Sequence, residues 1–80
     1  MEPLYAVILV YSTSYALQIE KLLQRNGITT KLIPVPRHLS SDCGVCVRIL
    51  RAEQEKAVQH LQESQSEYAS IHPLADHDEN

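Results

Sequence analysis

The feature that most constrains this chain is the apolar run Leu4-Tyr-Ala-Val-Ile-Leu-Val-Tyr11, followed at once by Ser12-Thr-Ser14 and a helical pattern. A continuous run rich in β-branched and aromatic residues fits a central strand buried on both faces. It is far too short to cross a bilayer, and the Met-Glu-Pro start has no basic region of the kind that opens a secretion signal. With 80 residues there is room for one core and no second. Neither Trp nor Phe is present, so Leu, Ile, Val and the four Tyr residues must fill that core. A domain this small is marginal by itself, and self-association is a common remedy.

The rest of the chain alternates in kind. Ser12, Thr13 and Ser14 are candidate N-caps for a first helix running to about Arg25, with Tyr15, Ala16, Ile19, Leu22 and Leu23 as its apolar stripe. Asn26-Gly27 is a stop signal. Thr29 to Ile33 reads as a second strand, ended by Pro34 and Pro36, and residues 37–42 as polar loop. Gly44 to Leu50 is a third strand, with Val45, Val47 and Ile49 on one face and Cys46, Arg48 and Leu50 on the other. A weakly amphipathic helix follows from Ala52 to about Glu63, then a short edge strand from Glu67 to Ile71. The expected organisation is therefore one domain over residues 1–71, with a frayed acidic tail over 72–80.

The order β-α-β-β-α-β is the split pattern of an α+β, ferredoxin-like sandwich: a four-stranded antiparallel sheet with both helices on one face. Strands one and three would be central neighbours. The other sheet face would be uncovered and apolar, which predicts a homodimer or a partner surface there. The same topology brings the loop before strand three to the end of the sheet where helix one begins. Cys43 should then lie beside Ser12, Thr13 and Ser14, at a helix N-terminus with free N–H groups and partial positive charge. Such a corner favours an anion or a thiolate. Arg37 would add charge, unless it pairs with Asp42 or is simply solvated, and Gly44 would let backbone approach a ligand.

Cys43-Gly-Val-Cys46 matches C-x-x-C, a pattern used by redox pairs at helix N-termini. Here the second cysteine sits in a strand. Three steps at a rise of roughly 3.3 Å separate the Cα atoms by about 10 Å, against the roughly 4.4–6.8 Å that a disulfide spans. The two side chains also point to opposite faces. Strand geometry thus argues against a disulfide pair, leaves Cys43 equally a reactive thiol or an inert loop thiol, and leaves Cys46 most simply a packed residue. A zinc site is a further option: the two cysteines supply half of one, His38 a third ligand, or a dimer could supply four thiolates. His72 and His77, among Asp76, Asp78 and Glu79, resemble a loose metal-scavenging tail, for which simple solvation is the plainer account. Arg48 lies on the Cys46 face, as an interface residue or as a stem covering apolar surface.

Composition narrows the function classes. A formal net charge of −3 argues against non-specific nucleic-acid binding. Two cysteines cannot make the dense disulfide framework of a small secreted scaffold, so cytoplasmic, reduced thiols are expected. No phosphate loop, nucleotide fingerprint or Ser/His/Asp arrangement is present, and no cofactor is called for.

Tyr11-Ser-Thr-Ser-Tyr-Ala-Leu-Gln-Ile-Glu-Lys-Leu-Leu23, Gly27-Ile28, Leu32-Ile-Pro-Val-Pro-Arg37 and Ser40-Ser-Asp-Cys-Gly44 together resemble the small bacterial family of selenium/sulfur carrier-like proteins. The resemblance covers roughly residues 4–70. It implies a short cytoplasmic protein whose motif cysteine, here Cys43, holds sulfur or selenium as a persulfide or selenosulfide. Such a protein is a relay rather than a full enzyme, and needs donor and acceptor proteins. Cys46 is an additional thiol that the resemblance does not require, although it could resolve a persulfide, and the tail after Ile71 also lies outside it. The alternative is a non-catalytic dimeric interaction module, with zinc held by Cys43 and Cys46.

Overall fold

A computed structural model of the chain describes residues 4–39 and 43–74. The element order is β1 (Tyr5–Leu9), α1 (Thr13–Arg25), β2 (Thr30–Pro34), β3 (Val45–Leu50), a 3-10 turn (Arg51–Glu53), α2 (Gln54–Glu63) and β4 (Ser70–Leu74). The strands form one antiparallel sheet in the order β2-β3-β1-β4, so β1 and β3 are the central neighbours. The architecture is α+β, with four strands and two helices.

β1 is central because its sequence tolerates nothing else: Ala6 through Val10 are all buried. Its alternation feeds two clusters. Ala6, Ile8 and Val10 join Val47 and Ile49 of β3 beneath Ala16, Ile19 and Leu23 of α1 and Ala57 and Leu61 of α2. Val7 and Leu9 point the other way and pack with Ile33, Cys46 and Leu74. No helix residue belongs to this second cluster, so both helices cover the same face.

The far face is not the open apolar surface that the sequence suggests. Val7 and Cys46 are fully buried within the one chain, and Leu9 and Ile33 nearly so. The chain leaving β2 supplies the cover. Pro34 does not end the pairing, since the Val35 N–H donates to the Gly44 carbonyl at 3.2 Å. The chain then turns, with the Leu39 N–H donating to the Pro36 carbonyl at 3.0 Å, and Val35 and Leu39 pack onto the second cluster. What reads as polar loop from Arg37 onward therefore contains an apolar clamp. The argument for a dimer from an uncovered face loses its premise.

β4 also differs from expectation. The sequence reading ends it at Ile71 and begins a tail at His72, but the strand spans Ser70–Leu74 and pairs with β1 throughout, from Leu9↔Ser70 to Tyr5↔Leu74. The acidic and polar composition from His72 onward misled the reading. β4 is an edge strand, and an edge can hold a residue without an N–H. Leu74 is fully buried and closes one end of the second cluster. The acidic residues Asp76, Asp78 and Glu79 and His77 lie outside the described residues.

Both helices end in the same motif. After α1, the Ile28 N–H donates to the Leu23 carbonyl and the Gly27 N–H to the Gln24 carbonyl, with Gly27 left-handed at φ 78°. After α2, the Ser66 N–H donates to the Leu61 carbonyl and the Gln65 N–H to the Gln62 carbonyl, with Gln65 left-handed at φ 56°. Glycine takes this conformation without steric penalty, whereas glutamine has a Cβ that resists it.

Two stability predictions follow from these elements. Leu74→Ala should lower stability by about 2–5 kcal/mol, as expected for a buried leucine. The urea midpoint should fall at unchanged slope; a change within about 0.5 kcal/mol, typical of a surface position, would remove Leu74 from the core. Gln65→Gly should raise stability by about 0.5–1 kcal/mol, because relief of the left-handed strain outweighs the added freedom of the unfolded chain. The urea midpoint again reads the sign.

Candidate functional site

Cys43 lies just before β3, and its side chain continues the alternation of that strand. Cys43, Val45, Val47 and Ile49 all face the helices, and Cys43 belongs to the helix-side cluster. It is only 6% exposed. The thiol thus sits at the rim of the core rather than out in a loop.

Its neighbour across the interior is the start of α1. Thr13 Oγ1 lies 3.9 Å from Cys43 Sγ, at the long limit for a sulfur hydrogen bond, and either atom can donate. Topology explains the meeting: β1 hands the chain to α1 at the end of the sheet where the β2–β3 connection returns. Ser12 is the N-cap residue, with extended backbone, and its carbonyl accepts from the Ala16 N–H at 3.2 Å. Its side chain makes no cap hydrogen bond, and the first turn of α1 carries no acidic residue. Among the described residues, no side-chain cap satisfies the first N–H groups of α1.

Of the residues expected to line an anion site, Thr13 is brought to the thiol and Ser12 begins the same helix. Ser14 and Arg37 are exposed, and no hydrogen bond ties either to Cys43 among the described residues. Gly44 adjoins the thiol in sequence, and a Cβ built on it would meet no atom within 4 Å. The space beside Gly44 is open, and glycine is not required there for packing. Ser40, Ser41 and Asp42 lie outside the described residues.

Cys46 is placed differently. It is fully buried in the far-side cluster, and its Sγ lies 3.9 Å from the Pro34 carbonyl, to which the thiol can donate. Burial, helped by the nearby Cys43, pushes its pKa from 9.0 up to about 11. Cys46 is therefore a protonated thiol at neutral pH. Both cysteines are thiols, and they belong to clusters on opposite sides of the sheet. That separation opposes an intramolecular disulfide and opposes a zinc ion shared by the pair. Among the described residues, no group of three His, Cys, Asp or Glu side chains stands close enough to hold a metal ion.

Three arrangements escaped the sequence reading. Arg48 sits with its guanidinium carbon 4.0 Å from the centroid of the Tyr5 ring. The signal for this was diagonal placement across the β1–β3 register, where Tyr5 pairs with Leu50. Ser70 Oγ and His72 Nε2 share a hydrogen bond of 2.8 Å, invisible while His72 was assigned to a tail. Tyr11 and Tyr15 meet edge to face at 6.2 Å across the start of α1, a contact available to any aromatic pair four residues apart at a helix entrance.

The site can hold one thiol against the mouth of a helix, shielded from bulk water, with a hydroxyl in reach. No helix among the described residues is long and apolar enough to cross a membrane. No curated protein and no solved structure matches the chain significantly. A family model described as "Putative Se/S carrier protein-like" matches residues 5–73, from the first residue of β1 to the penultimate residue of β4, and the chain belongs to that family.

Proposed function

We propose that the protein is a sulfur or selenium relay in which Cys43 carries the cargo atom. The observation that carries this reading is the position of the Cys43 thiol against Thr13 at the uncapped start of α1. Family membership supplies the kind of cargo. We also assign the sheet to the ferredoxin-like class, because β3 is inserted between β1 and β2.

The transfer balances without an external oxidant. The Cys43 thiolate attacks the outer sulfur of a donor protein's persulfide. A new S–S bond forms at Cys43, the donor's S–S bond breaks, and the donor cysteine leaves as a thiolate that takes up the proton lost by Cys43. An acceptor nucleophile then attacks the outer atom and returns Cys43 to thiolate. A selenium atom moves by the same exchange from a donor selenosulfide. The Thr13 hydroxyl, 3.9 Å from this sulfur, can donate to it. Arg37, exposed on the turn leaving β2, meets the partner rather than the thiol. Two cysteines not joined in a disulfide suit a reducing cytoplasm.

Incubation with a cysteine desulfurase and cysteine should add one sulfur to the intact mass of the wild type and none to Cys43→Ser. An adduct of equal yield on Cys43→Ser sinks the proposal. Thr13→Ala should leave the fold intact and reduce loading several-fold.

Cys46 is assigned no direct part in the relay. The sign of its shift sets the expectation: a raised folded pKa stabilises the protonated thiol, fully below about pH 9 and progressively less as pH rises through about 11. At pH 8, iodoacetamide acting on the folded protein should therefore modify Cys43 well before Cys46, as peptide mass mapping would reveal. In urea the preference should vanish. Equal rates in the folded protein would contradict the assignment.

A further inference from the structure

We propose that Asn26-Gly27, the dipeptide that ends α1, is a modification site at which Asn26 converts spontaneously to aspartate and isoaspartate, and that the docking of Ile28 sets the rate. The site lies at the opposite end of α1 from Thr13, roughly 20 Å away along the helix. It is therefore independent of the thiol.

The chemistry needs only water and base. The Gly27 amide gives up its proton, and its nitrogen attacks Asn26 Cγ. A C–N bond forms, the Cγ–Nδ2 bond breaks, and ammonia leaves with a proton from solvent, closing a cyclic imide. Water then opens the ring. Cleavage at the side-chain carbonyl leaves aspartate, and cleavage at the main-chain carbonyl leaves isoaspartate. Nothing is oxidised or reduced. The dipeptide suits the attack, because Gly27 has no side chain to hinder it. Both residues are exposed, and a Cβ built on Gly27 would meet no atom within 4 Å.

The folded chain restrains the reaction at three points. The Gly27 N–H donates to the Gln24 carbonyl at 3.1 Å, so the attacking nitrogen holds its proton. Asn26 Nδ2 donates to the Leu22 carbonyl at 2.8 Å, which turns the carboxamide back along the helix. The Ile28 N–H donates to the Leu23 carbonyl at 2.9 Å, and the Ile28 side chain is buried in the helix-side cluster. Ile28 is the anchor of the three, because Asn26 and Gly27 themselves bury nothing. Helix ends open locally at far less cost than the whole domain, so conversion proceeds from a form in which Ile28 has left its place. The products weaken their own restraint. Aspartate cannot donate to the Leu22 carbonyl, and it adds negative charge at the negative end of the helix. Isoaspartate inserts a methylene into the main chain and displaces the Gly27 and Ile28 N–H groups from their acceptors.

The test is incubation of the full chain in mildly alkaline buffer, folded and in guanidinium chloride. Peptide mapping then resolves asparagine, aspartate and isoaspartate at residue 26. Conversion at Asn26 should be at least about tenfold faster in the denaturant, in line with the loss of these hydrogen bonds. In the folded chain Ile28→Val should speed conversion and Ile28→Ala should speed it more, following the burial each removes. Neither variant should change the rate in denaturant. Asn26→Asp, which reproduces one product, should lower the urea midpoint. Cys43→Ser should convert as the wild type does, which separates this site from the relay. Equal rates in the folded and denatured chain would overturn the proposal. So would absence of conversion in the denaturant, or a folded rate indifferent to both Ile28 variants.

Discussion

β3 is paired along both edges, by β1 on one side and β2 on the other, and this double pairing leaves each of its side chains one direction to point. Everything distinctive about the molecule follows from that alternation. Cys43, Val45, Val47 and Ile49 go to the helices; Cys46 and Arg48 go to the far face. A slip of one residue would exchange the two cysteines and put the Arg48 guanidinium into the core beneath α1 and α2. That error would cost the desolvation of an unpaired charge, so the register is strongly specified. The C-x-x-C spacing thus separates two thiols into two environments instead of joining them.

A two-layer α+β domain must also deal with the face its helices do not cover. The usual solutions are a second copy or a polar surface. This chain adds a third, in which the segment after β2 folds back and sets Val35 and Leu39 on Val7, Leu9 and Cys46. The two prolines help. Pro34 and Pro36 restrict the backbone at the bend, so less conformational entropy is lost when it docks. Leu74 seals one end of the same cluster from β4. The clamp and the thiol are therefore mechanically linked, since the connection that carries Val35 and Leu39 to the far face returns as Cys43 on the near one.

Much of this was legible in the residues. The buried run of β1, the α1 stripe of Ala16, Ile19 and Leu23, the Asn26-Gly27 stop and the two faces of β3 all follow from periodicity. The meeting of Cys43 with Thr13 follows from topology once β1 and β3 are neighbours. What failed was local. Pro34 was treated as a terminator, although β2 is an edge where a missing N–H costs little. The polar character from His72 onward truncated β4 and left Leu74 in a tail, and the polar residues around Leu39 hid its packing. Lone leucines such as these carry no periodic signal, and only their burial identifies them.

On the proposed relay, the placement of Cys43 would meet two opposing demands on a thiol that holds a reactive atom. Exposure would speed loading but also invite hydrolysis, oxidation and loss of cargo to small thiols in solution. Full burial, as at Cys46, suppresses the thiolate altogether. At the rim of the core, Cys43 is shielded by apolar neighbours on the sheet side and faces the polar groups of the α1 N-terminus on the other. The Thr13 hydroxyl lies 3.9 Å from the sulfur there, within reach of a sulfur hydrogen bond. The two cysteines of one short motif thus mark the two ends of this compromise. Cys46 shows what the strand does to a thiol left wholly inside, and Cys43 what the helix terminus allows three residues earlier.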